Sequence, residues 1–444
     1  MKKFFTTIKN IFSIEDLRVR ILNTIGLLVI FRLGSFVVLP GIDPVILDQI
    51  ASTTGGDGKN IWDFINTFLG GAFSRASIFA LGIMPYISAS IVVQLMTVAV
   101  PYFQKLQKDG ESGRKKINQI TRVLTIAITF AQGFSYVVAA IPNDAIIEIS
   151  FFWRLSSVII LIAGTMFCMW IGEKITDKGI GNGISMLIMI GIISRFPNSI
   201  IQEATLQGIS GALQFVLEIV ALFFIVMAVV LLTQAVRRIP IQYAKQVVGS
   251  KLYGSKRDYL PLKLNSAGVM PIIFAQALMF IPPLLAGLWS SSSDIASYIG
   301  SAFSDPYSWQ YNLLFGILIL VFTFFYTAIT VNPNDIADNL KRNGGFIPGI
   351  KPGKPTSEFI DTVLTRVTLP GSIFLALVAV IPSFAVQAGV SPNFAQFYGG
   401  TSLLIMVGVI LDTLQQIESY LLMRHYEGMM KSGKIKGRSQ IAAA

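Results

Sequence analysis

Residues 213–235, LQFVLEIVALFFIVMAVVLLTQA, decide the fold class of this chain. The segment contains one ionisable residue, Glu218. It is long enough for a helix to cross the hydrocarbon core of a bilayer, which takes about 20 residues. Similar segments recur along all 444 residues, of which 53% are hydrophobic and 13% charged, and the mean hydropathy is +0.65. Soluble domains contain about 25% charged residues. The sequence therefore predicts an integral membrane protein and excludes a soluble enzyme with a core of its own.

Apolar segments of this kind predict ten membrane-spanning helices. They lie at residues 21–39, 77–100, 119–140, 152–172, 182–199, 213–235, 267–288, 312–331, 364–385 and 400–422. The first of them is too long for the apolar core of a signal peptide, so we expect no cleaved leader. Ten spans place both termini on the same side of the membrane.

The lysines and arginines indicate which side that is. Most of them lie at the two termini or in and beside four connections between spans. These connections join the second span to the third, the fourth to the fifth, the sixth to the seventh and the eighth to the ninth. Five exceptions are Arg32, Lys59, Arg75, Arg154 and Arg195. Because short cytoplasmic loops retain positive charge, both termini are predicted to be cytoplasmic.

A short apolar segment, Ile61 to Arg75, lies between the first two spans. About ten apolar-patterned residues ending in Gly70-Gly71 are too few to cross a bilayer. The segment therefore forms a half-helix that either lies on the outer face or re-enters the membrane from it. The residues alone leave both alternatives open.

Two cytoplasmic connections, 237–264 and 332–362, are longer than a turn between helices requires. In the first, the arms 239–245 and 260–264 alternate apolar and polar residues around a polar tip, which predicts an extended hairpin. The second contains the basic segment 341–355, rich in Gly and Pro, which predicts a series of rigid turns. Either could be a solvated loop whose charge only sets orientation, or a docking platform for a large, partly acidic partner.

The residues needed for catalysis or metal binding are scarce. The only histidine, His425, follows the last span, so neither a His-based metal site nor a Ser-His-Asp triad can form within the membrane. The only cysteine, Cys168, lies in an apolar segment and has no partner for an internal disulfide. No GxxxxGK[ST] motif is present, and Gly179-Ile-Gly-Asn-Gly183 is more simply explained as a turn into the fifth span than as a nucleotide loop. Arg32 and Glu218 are the candidate ionisable groups at membrane depth.

Two spans contain isoleucines four residues apart, Ile83 with Ile87 and Ile184 with Ile188. This spacing places both side chains on one face of a helix. Isoleucine is also a default residue for packing and for contact with lipid. The alternative is a branched aliphatic constriction that excludes water and ions.

At these residues the chain resembles the SecY family, the channel-forming subunits of bacterial protein-conducting translocons. The likeness rests on long motifs in a fixed order, from the first span to the last. They are Phe31-Arg-Leu-Gly-Ser35, Pro40-Gly-Ile-Asp43, residues 70–90 (GGAFSRASIFALGIMPYISAS), Gly110-Glu-Ser-Gly-Arg114, residues 172–185 (GEKITDKGIGNGIS), residues 332–341 (NPNDIADNLK) and residues 399–404 (GGTSLL).

The resemblance implies an all-helical membrane channel of ten spans, arranged as two inverted, pseudo-symmetric halves of five helices. The N-terminal half would comprise residues 1–195, the hinge loop 196–212, the C-terminal half 213–422 and a cytoplasmic tail 423–444. The short segment at about 61–74 would be a re-entrant plug helix that closes the channel from outside.

The resemblance also implies roles for individual residues. The plug residues would be Ile61, Phe64, Phe68, Leu69, Gly70 and Gly71. The pore ring would be Ile83, Ile87, Ile184, Ile188, Ile273 and Ile405. Ser88, Gln94 and Asn265 match polar positions of a lateral gate between the second and third spans and the seventh and eighth. Lys251, Lys256, Arg257, Lys341, Arg342 and Lys351 would dock cytoplasmic partners.

The implied partners are small membrane subunits of the SecE and SecG type, the SecA motor ATPase, the ribosome and preproteins with signal sequences. Accessory proteins of the SecDF and YidC type and the lipid bilayer complete the set. The chain would lie in the bacterial cytoplasmic membrane and would need no cofactor, because its partners use the ATP or GTP. Two positions depart from the family pattern: Lys351 replaces an arginine, and Ser250-Lys251 replaces a basic pair. Lysine keeps the charge of arginine but not its planar fork.

Three other functions remain as alternatives. A secondary transporter also fits inverted repeats and broken helices, and Arg32 and Glu218 would then couple solute uptake. An intramembrane enzyme is disfavoured by the missing His, Cys and carboxylate constellations. A ribosome-docking scaffold would need the basic loops but would tolerate any residue at the pore positions.

Overall fold

The computed structural model describes residues 14–47, 69–148, 150–208, 211–243, 246–248, 251–253, 257–279, 302–303 and 305–431. The chain divides into two compact units. The first contains the described residues up to Arg195 together with 408–431, and the second contains the described residues of 196–407.

Helices make up most of both units. In chain order they are α1 (Glu15–Gly34), α2 (Met84–Ala99), α3 (Pro101–Lys108), α4 (Gly110–Ser135), α5 (Phe151–Lys178), α6 (Gly183–Gln207), α7 (Ala212–Gln234), α8 (Met270–Met279), α9 (Trp309–Thr330), α10 (Pro333–Arg342), α11 (Lys354–Gln387), α12 (Pro392–Ala395) and α13 (Gly400–Lys431). A π-helical turn, Tyr136–Ala140, and a 3₁₀ turn, Asn143–Ala145, follow α4. The strands are β1 (Val236–Tyr243), β2 (Gln246–Val248), β3 (Lys251–Tyr253), β4 (Arg257–Lys263) and β5 (Gly345–Phe346).

A helix coincides with each of the ten predicted spans. Among the described residues, seven helical segments are long and apolar enough to cross a membrane, or eight if α2 and α3, which bend by 99° at Val100, count as one. α1 falls outside this set and contains Arg18, Arg20 and Arg32, while α8 has ten residues. The structure therefore confirms a multi-pass helical protein, and the exact count of ten remains a prediction.

The predicted start of the second span is wrong by seven residues. Residues 69–83 form successive turns, and α2 begins only at Met84, with Pro85 in its first turn. Two backbone conformations exclude a helix in the residues before it: Ala76 has φ +46° and Gly82 has φ +50°. Right-handed helices require negative φ. The described residues of the predicted plug helix, 69–74, are therefore turns as well.

The predicted hinge loop 196–212 is mostly helical. α6 continues through Pro197 to Gln207, and α7 begins at Ala212, so the connection between the helices comprises only residues 208–211. A proline is tolerated within a helix at the cost of one hydrogen bond.

The turns predicted for the basic segment 341–355 are present, since residues 343–353 contain turns and the short strand β5 but no helix. The helix α10, which precedes them in the second long connection, was not predicted. Asn332 caps this helix by accepting a hydrogen bond from Asn334 N at 3.1 Å, and Pro333 occupies its first turn. Both features favour a helix start.

The predicted hairpin is confirmed. β1 pairs antiparallel with β4, with Ile239 opposite Leu260, and β5 adds to the other edge of β1. The apolar face of this sheet packs against α10 and the first turns of α11. The cluster consists of Ile239, Ile241, Leu262, Leu340, Ile347 and Ile360. These parts of the two long connections therefore form one folded body, which we call the loop platform (residues 236–243, 257–263 and 333–363).

Within the first unit, α5 and α6 approach each other closely. A Cβ at Gly183 would overlap the carbonyl oxygen of Gly172, and a Cβ at Gly172 would lie 3.2 Å from Ile184 Cγ1. Small residues allow membrane helices to approach until their backbones touch. This contact fixes the first turn of α6, on which Ile184 lies.

Candidate functional site

The turns before α2 are fixed to the first unit by main-chain hydrogen bonds. We call residues 69–83 the anchored segment. Leu39 N donates to Ala76 O at 2.9 Å, and Ile78 N donates to Val37 O at 2.9 Å. Such paired bonds attach the segment to the chain that follows α1. Of the predicted plug residues, Leu69, Gly70 and Gly71 lie at its start and are buried; Ile61, Phe64 and Phe68 lie outside the described residues.

A buried tyrosine holds the middle of the anchored segment. Tyr136 is 3% exposed, and its hydroxyl donates to Phe73 O at 2.6 Å. The two rings also pack at 4.6 Å between centroids. A short hydrogen bond combined with ring contact makes Tyr136 the side chain that attaches this segment most directly to the end of α4.

Gly70 lies where the anchored segment meets α6 and α1. Its φ is +61°, and a Cβ there would lie 3.0 Å from Gly191 Cα and 2.9 Å from Ser194 Oγ. Arg32 Nη1 donates to Gly70 O at 3.3 Å. Only glycine combines this backbone conformation with so close an approach. The structure therefore gives the Arg32 guanidinium a main-chain hydrogen-bond partner in the anchored segment.

The two isoleucine pairs lie in the first unit. Ile83 is the residue before α2, and Ile87 N donates to Ile83 O at 3.1 Å, which places both side chains on one face. Ile184 and Ile188 lie one turn apart on α6. Ile83 and Ile188 are 4% and 8% exposed, and Ile87 and Ile184 are half-buried.

The other two predicted ring residues belong to the second unit. Ile273 lies on α8 and is half-buried, while Ile405 lies on α13 and is buried. All six positions have aliphatic side chains that can neither donate nor accept a hydrogen bond.

The turn 179–182 sets the position of α6. Asn182 caps the helix, since its Oδ1 accepts hydrogen bonds from Ile184 N at 3.1 Å and Ser185 N at 3.4 Å. Thr24 Oγ1 accepts from Ile180 N at 3.0 Å, and Gln416 Oε1 accepts from Gly181 N at 2.8 Å. The glycine-rich sequence is thus a turn, as predicted, and side chains of α1 and α13 hold it. The sequence analysis missed Asn182, although an Asn before a helix is a known start signal.

The predicted gate residues include two with an unused amide oxygen. Ser88 lies on α2 and donates to Met84 O at 3.2 Å. Gln94 Oε1, also on α2, and Asn265 Oδ1, in the turns after β4, are buried and accept no hydrogen bond from the described residues. Buried amide oxygens usually have a hydrogen-bond partner, so these two are exceptions among the described residues.

Four of the predicted docking residues lie on the loop platform: Arg257, Lys341, Arg342 and Lys351. Lys341 and Arg342 occupy the last turn of α10, and both are exposed, as is Lys351. Lys251 lies on β3, and Arg257 begins β4. Lys256 and Ser250 lie outside the described residues. Cations in the last turn of a helix are stabilised by its dipole, and here they also face solvent.

The groups that could bind a metal or act as a nucleophile are few in the described part of the chain. It contains no group of three or more His, Cys, Asp or Glu side chains arranged to hold a metal ion. Cys168 is fully buried, which removes its thiol from solvent. Glu218 lies in a buried polar cluster with Glu203, a residue that the sequence analysis did not single out.

Comparisons with known proteins identify the family of this chain. The SecY family model matches residues 77–414. The chain is 42% identical to the protein translocase subunit SecY of Mycobacterium tuberculosis, over 94% of this chain and 97% of that protein. It is 43% identical to the SecY subunit of Halalkalibacterium halodurans, over 96% of this chain and 100% of that protein.

The chain belongs to the SecY family. Solved structures show the same fold at lower identity. The structure of a protein conducting channel aligns with a TM-score of 0.62 at 17% identity, over 90% of this chain and 92% of that one. A SecY structure described for its plug domain aligns with a TM-score of 0.57 at 18% identity. Canine Sec61 in a ribosome-channel complex aligns with a TM-score of 0.59 at 15% identity. Each covers 90% of this chain and 92% of the other. The SecY fold is therefore shared along almost the whole chain.

Proposed function

We propose that this chain is the channel subunit of a protein translocase. It passes unfolded preproteins across the membrane and releases sufficiently apolar segments sideways into lipid. The observation that carries the proposal is the SecY family match over residues 77–414, together with a fold shared with protein-conducting channels. In this proposal the partners supply the energy.

Six isoleucines form the constriction in this proposal. Branched aliphatic side chains exclude water and ions from a narrow pore because a dry apolar gap is unfavourable to hydrate. Their contacts are non-directional, so the same ring closes around chains of any sequence. The close contact of α5 with α6 and the cap by Asn182 support this role, since they hold Ile184 and Ile188 on a rigid element.

The anchored segment forms the base of the plug. The solved SecY structure whose plug domain stabilises the closed state of its channel supports this proposal. The bonds to Val37, Leu39 and Tyr136 would hold the anchored segment in the closed state, and it would be displaced when a preprotein enters. A re-entrant segment is compatible with a membrane where it is buried in protein.

The lateral gate contains Ser88, Gln94 and Asn265. Interhelical hydrogen bonds in membranes are worth about 1 kcal/mol, which is weak enough for a gate that must open. The unused oxygens of Gln94 and Asn265 support this role, because such groups gain a partner when the gate changes state.

The loop platform faces the cytoplasm and docks a motor ATPase of the SecA type or the ribosome in turn. Its exposed Lys341, Arg342 and Lys351 complement acidic or phosphate surfaces. Canine Sec61, a structural neighbour, was solved in a ribosome-channel complex. Subunits of the SecE and SecG type and accessory proteins of the SecDF and YidC type complete the assembly. It lies in the bacterial cytoplasmic membrane with both termini in the cytoplasm.

Two halves of five spans, 1–195 and 213–422, would move about the connection between α6 and α7, and residues 423–444 would form a cytoplasmic tail. Because α6 extends to Gln207, residues 208–211 provide the bendable part of that connection.

Translocation by the reconstituted full-length chain tests this function. Proteoliposomes with the small subunits, the motor ATPase and ATP should protect a preprotein from external protease, and should do so only if it has a signal sequence. A secondary transporter would instead accumulate a small solute and would lose uptake on Arg32→Gln or Glu218→Gln. Solute uptake without preprotein protection would refute the proposal.

A further inference from the structure

The second unit has an open groove between α9 and α11, which pack against each other. We call it the α9–α11 groove. Its volume is about 480 Å³, which lies in the range of sites that hold small ligands. Exposed apolar side chains of both helices form its rims: Leu313, Ile317, Ile373, Leu377 and Phe384. Because both helices are apolar enough to span a membrane, such rims suit contact with the hydrocarbon of the bilayer.

A glycine in the middle of α9 leaves space in this groove. A Cβ at Gly316 would meet no other described atom within 4 Å. Ala376 lines the groove from α11 and adds only a methyl group. Glycine weakens a helix, and in membrane proteins it is commonly found where two helices come close together. No such close approach exists at Gly316, so its effect here is to keep the groove open.

The groove has one end at the start of α9. Trp309, the first residue of that helix, is 68% exposed, and Gln387, the last residue of α11, is also exposed. An exposed tryptophan suits the headgroup level of a bilayer, where its ring meets both apolar and polar groups. The lining continues along α9 to Leu320, eleven residues further or about 17 Å. Half of the hydrocarbon core measures about 15 Å. The groove therefore has the length of one leaflet.

The other polar side chains at this end are already bonded to protein. Asn312 Nδ2 donates to Ser308 O at 2.7 Å, and Asn312 Oδ1 accepts from Ser383 Oγ at 2.9 Å. Tyr307 Oη donates to Pro392 O at 3.3 Å. The described lining includes no Lys, Arg, Asp or Glu. A polar solute or an ion would find few groups to bind it, whereas an apolar chain needs none.

The groove is also too small to hold a whole helix. A helix with its side chains is about 10 Å across, so a length of about 17 Å fills about 1,300 Å³. That is more than twice the volume of the groove. An extended hydrocarbon chain has no side chains and is much thinner. Lipid chains also surround any spanning helix, so this occupant is always at hand.

We propose that the α9–α11 groove binds one acyl chain of a phospholipid, whose headgroup lies beside Trp309 and Gln387. The chain fills the space at Gly316 and ends near Leu320. Because the described lining has no charged side chain, the site selects the chain rather than the headgroup. The loop platform follows the other end of α9, so in the proposed orientation this lipid belongs to the outer leaflet. It stabilises the packing of α9 on α11, a role that does not depend on translocation.

Native mass spectrometry of the purified full-length chain in detergent tests the proposal. The probe is palmitoyl-oleoyl-phosphatidylcholine, a zwitterionic lipid that the basic loops do not attract by charge. At a low ratio of lipid to protein, the parent chain should retain one lipid in preference to further ones. The melting temperature should rise with lipid concentration, because the lipid binds the folded state. A statistical series of adducts without a preferred first one would overturn the proposal.

Leucine variants locate the site. Gly316→Leu and Ala376→Leu fill the groove from its two sides. Each should weaken lipid retention by about tenfold or more, the loss from displacing about two methylene groups. Gly26→Leu is the matched control, because a Cβ at Gly26, on α1 of the first unit, also meets no described atom within 4 Å. It should retain lipid as the parent chain does.

Two outcomes with these variants would overturn the proposal. One is unchanged retention in both groove variants, and the other is a loss in the control equal to theirs. Unfolding is separated from loss of the site by the melting temperature without lipid. Gly316→Leu should melt at least as high as the parent there, since leucine favours a helix more than glycine does. In the assembled translocase, cross-linking of a small-subunit helix to Gly316→Cys would show that protein covers the groove, which would also overturn the proposal.

Discussion

Removing the hydroxyl of Tyr136 should loosen the base of the plug and make the closed channel leak. Tyr136→Phe deletes the 2.6 Å hydrogen bond to Phe73 O but keeps the ring that packs against Phe73. The carbonyl also accepts a bond from Ala76 N at 3.2 Å, so it is not left without a donor. The cost is therefore the net value of one hydrogen bond, about 0.5–1.5 kcal/mol, rather than a full desolvation penalty. That energy raises the displaced fraction about two- to thirteenfold.

Ion conductance of the full-length chain in planar bilayers, without preprotein, measures the displaced fraction. While that fraction is small, resting conductance should rise by the same factor. Tyr311→Phe is the matched control, because Tyr311 is 4% exposed and its hydroxyl accepts from Gln276 at 3.4 Å in the other unit. The reasoning is refuted if Tyr136→Phe conducts no more than the control, or if both variants leak equally.

Three further changes test other parts of the account. Ile188→Asn places an amide in the ring and should admit water, so ion leak should rise and signal-sequence selection should relax. The control Ile219→Asn, on an exposed face of α7, should change neither the leak nor the selection. Arg342→Glu should weaken binding of the ribosome or motor in a salt-dependent way, measured by cosedimentation, while the pore still closes. Gly183→Ala would force a Cβ against Gly172 O, so the folded yield and melting temperature should both fall.

The sequence predicted the elements whose signal is local. Each apolar run has its helix, and the alternation at 239–245 and 260–264 predicted the β1–β4 pairing, because period-two patterns fit a half-buried strand. The turn at 179–182 also follows from local sequence, since its glycines permit backbone conformations that other residues avoid.

The start of α2 was missed because its cause is not local. Residues 77–83 are as apolar as the helix that follows, so hydropathy cannot separate them. The bond of Ile78 N to Val37 O holds them as turns instead, and the bonds of Leu39 to Ala76 and of Tyr136 to Phe73 hold the residues just before them. By contrast, α10 could have been found, since Asn332-Pro333 is a standard helix start. Only the turns that follow it, at 343–353, were predicted, from their glycines and prolines.

The buried polar cluster of Glu203 and Glu218 could not be predicted at all. Glu203 and Ser391 are 188 residues apart in sequence. In the sequence alone, each is an ordinary polar residue near the end of a predicted span. Their contact depends on the packing of α6, α7 and the α12 region, which only the fold brings together.

The six ring positions were assigned through the family resemblance rather than through spacing.

The most direct test of the account is photocrosslinking to a secretory preprotein stalled in mid-transfer. A photoreactive residue at Ile188 is compared with one at Ile201, an isoleucine of the same helix that is 61% exposed. The account predicts adducts from position 188 and none from position 201, which would place the preprotein inside the isoleucine ring. If neither position captures the preprotein while the loop platform still binds ribosome or motor, the chain is a docking scaffold and the channel account is wrong.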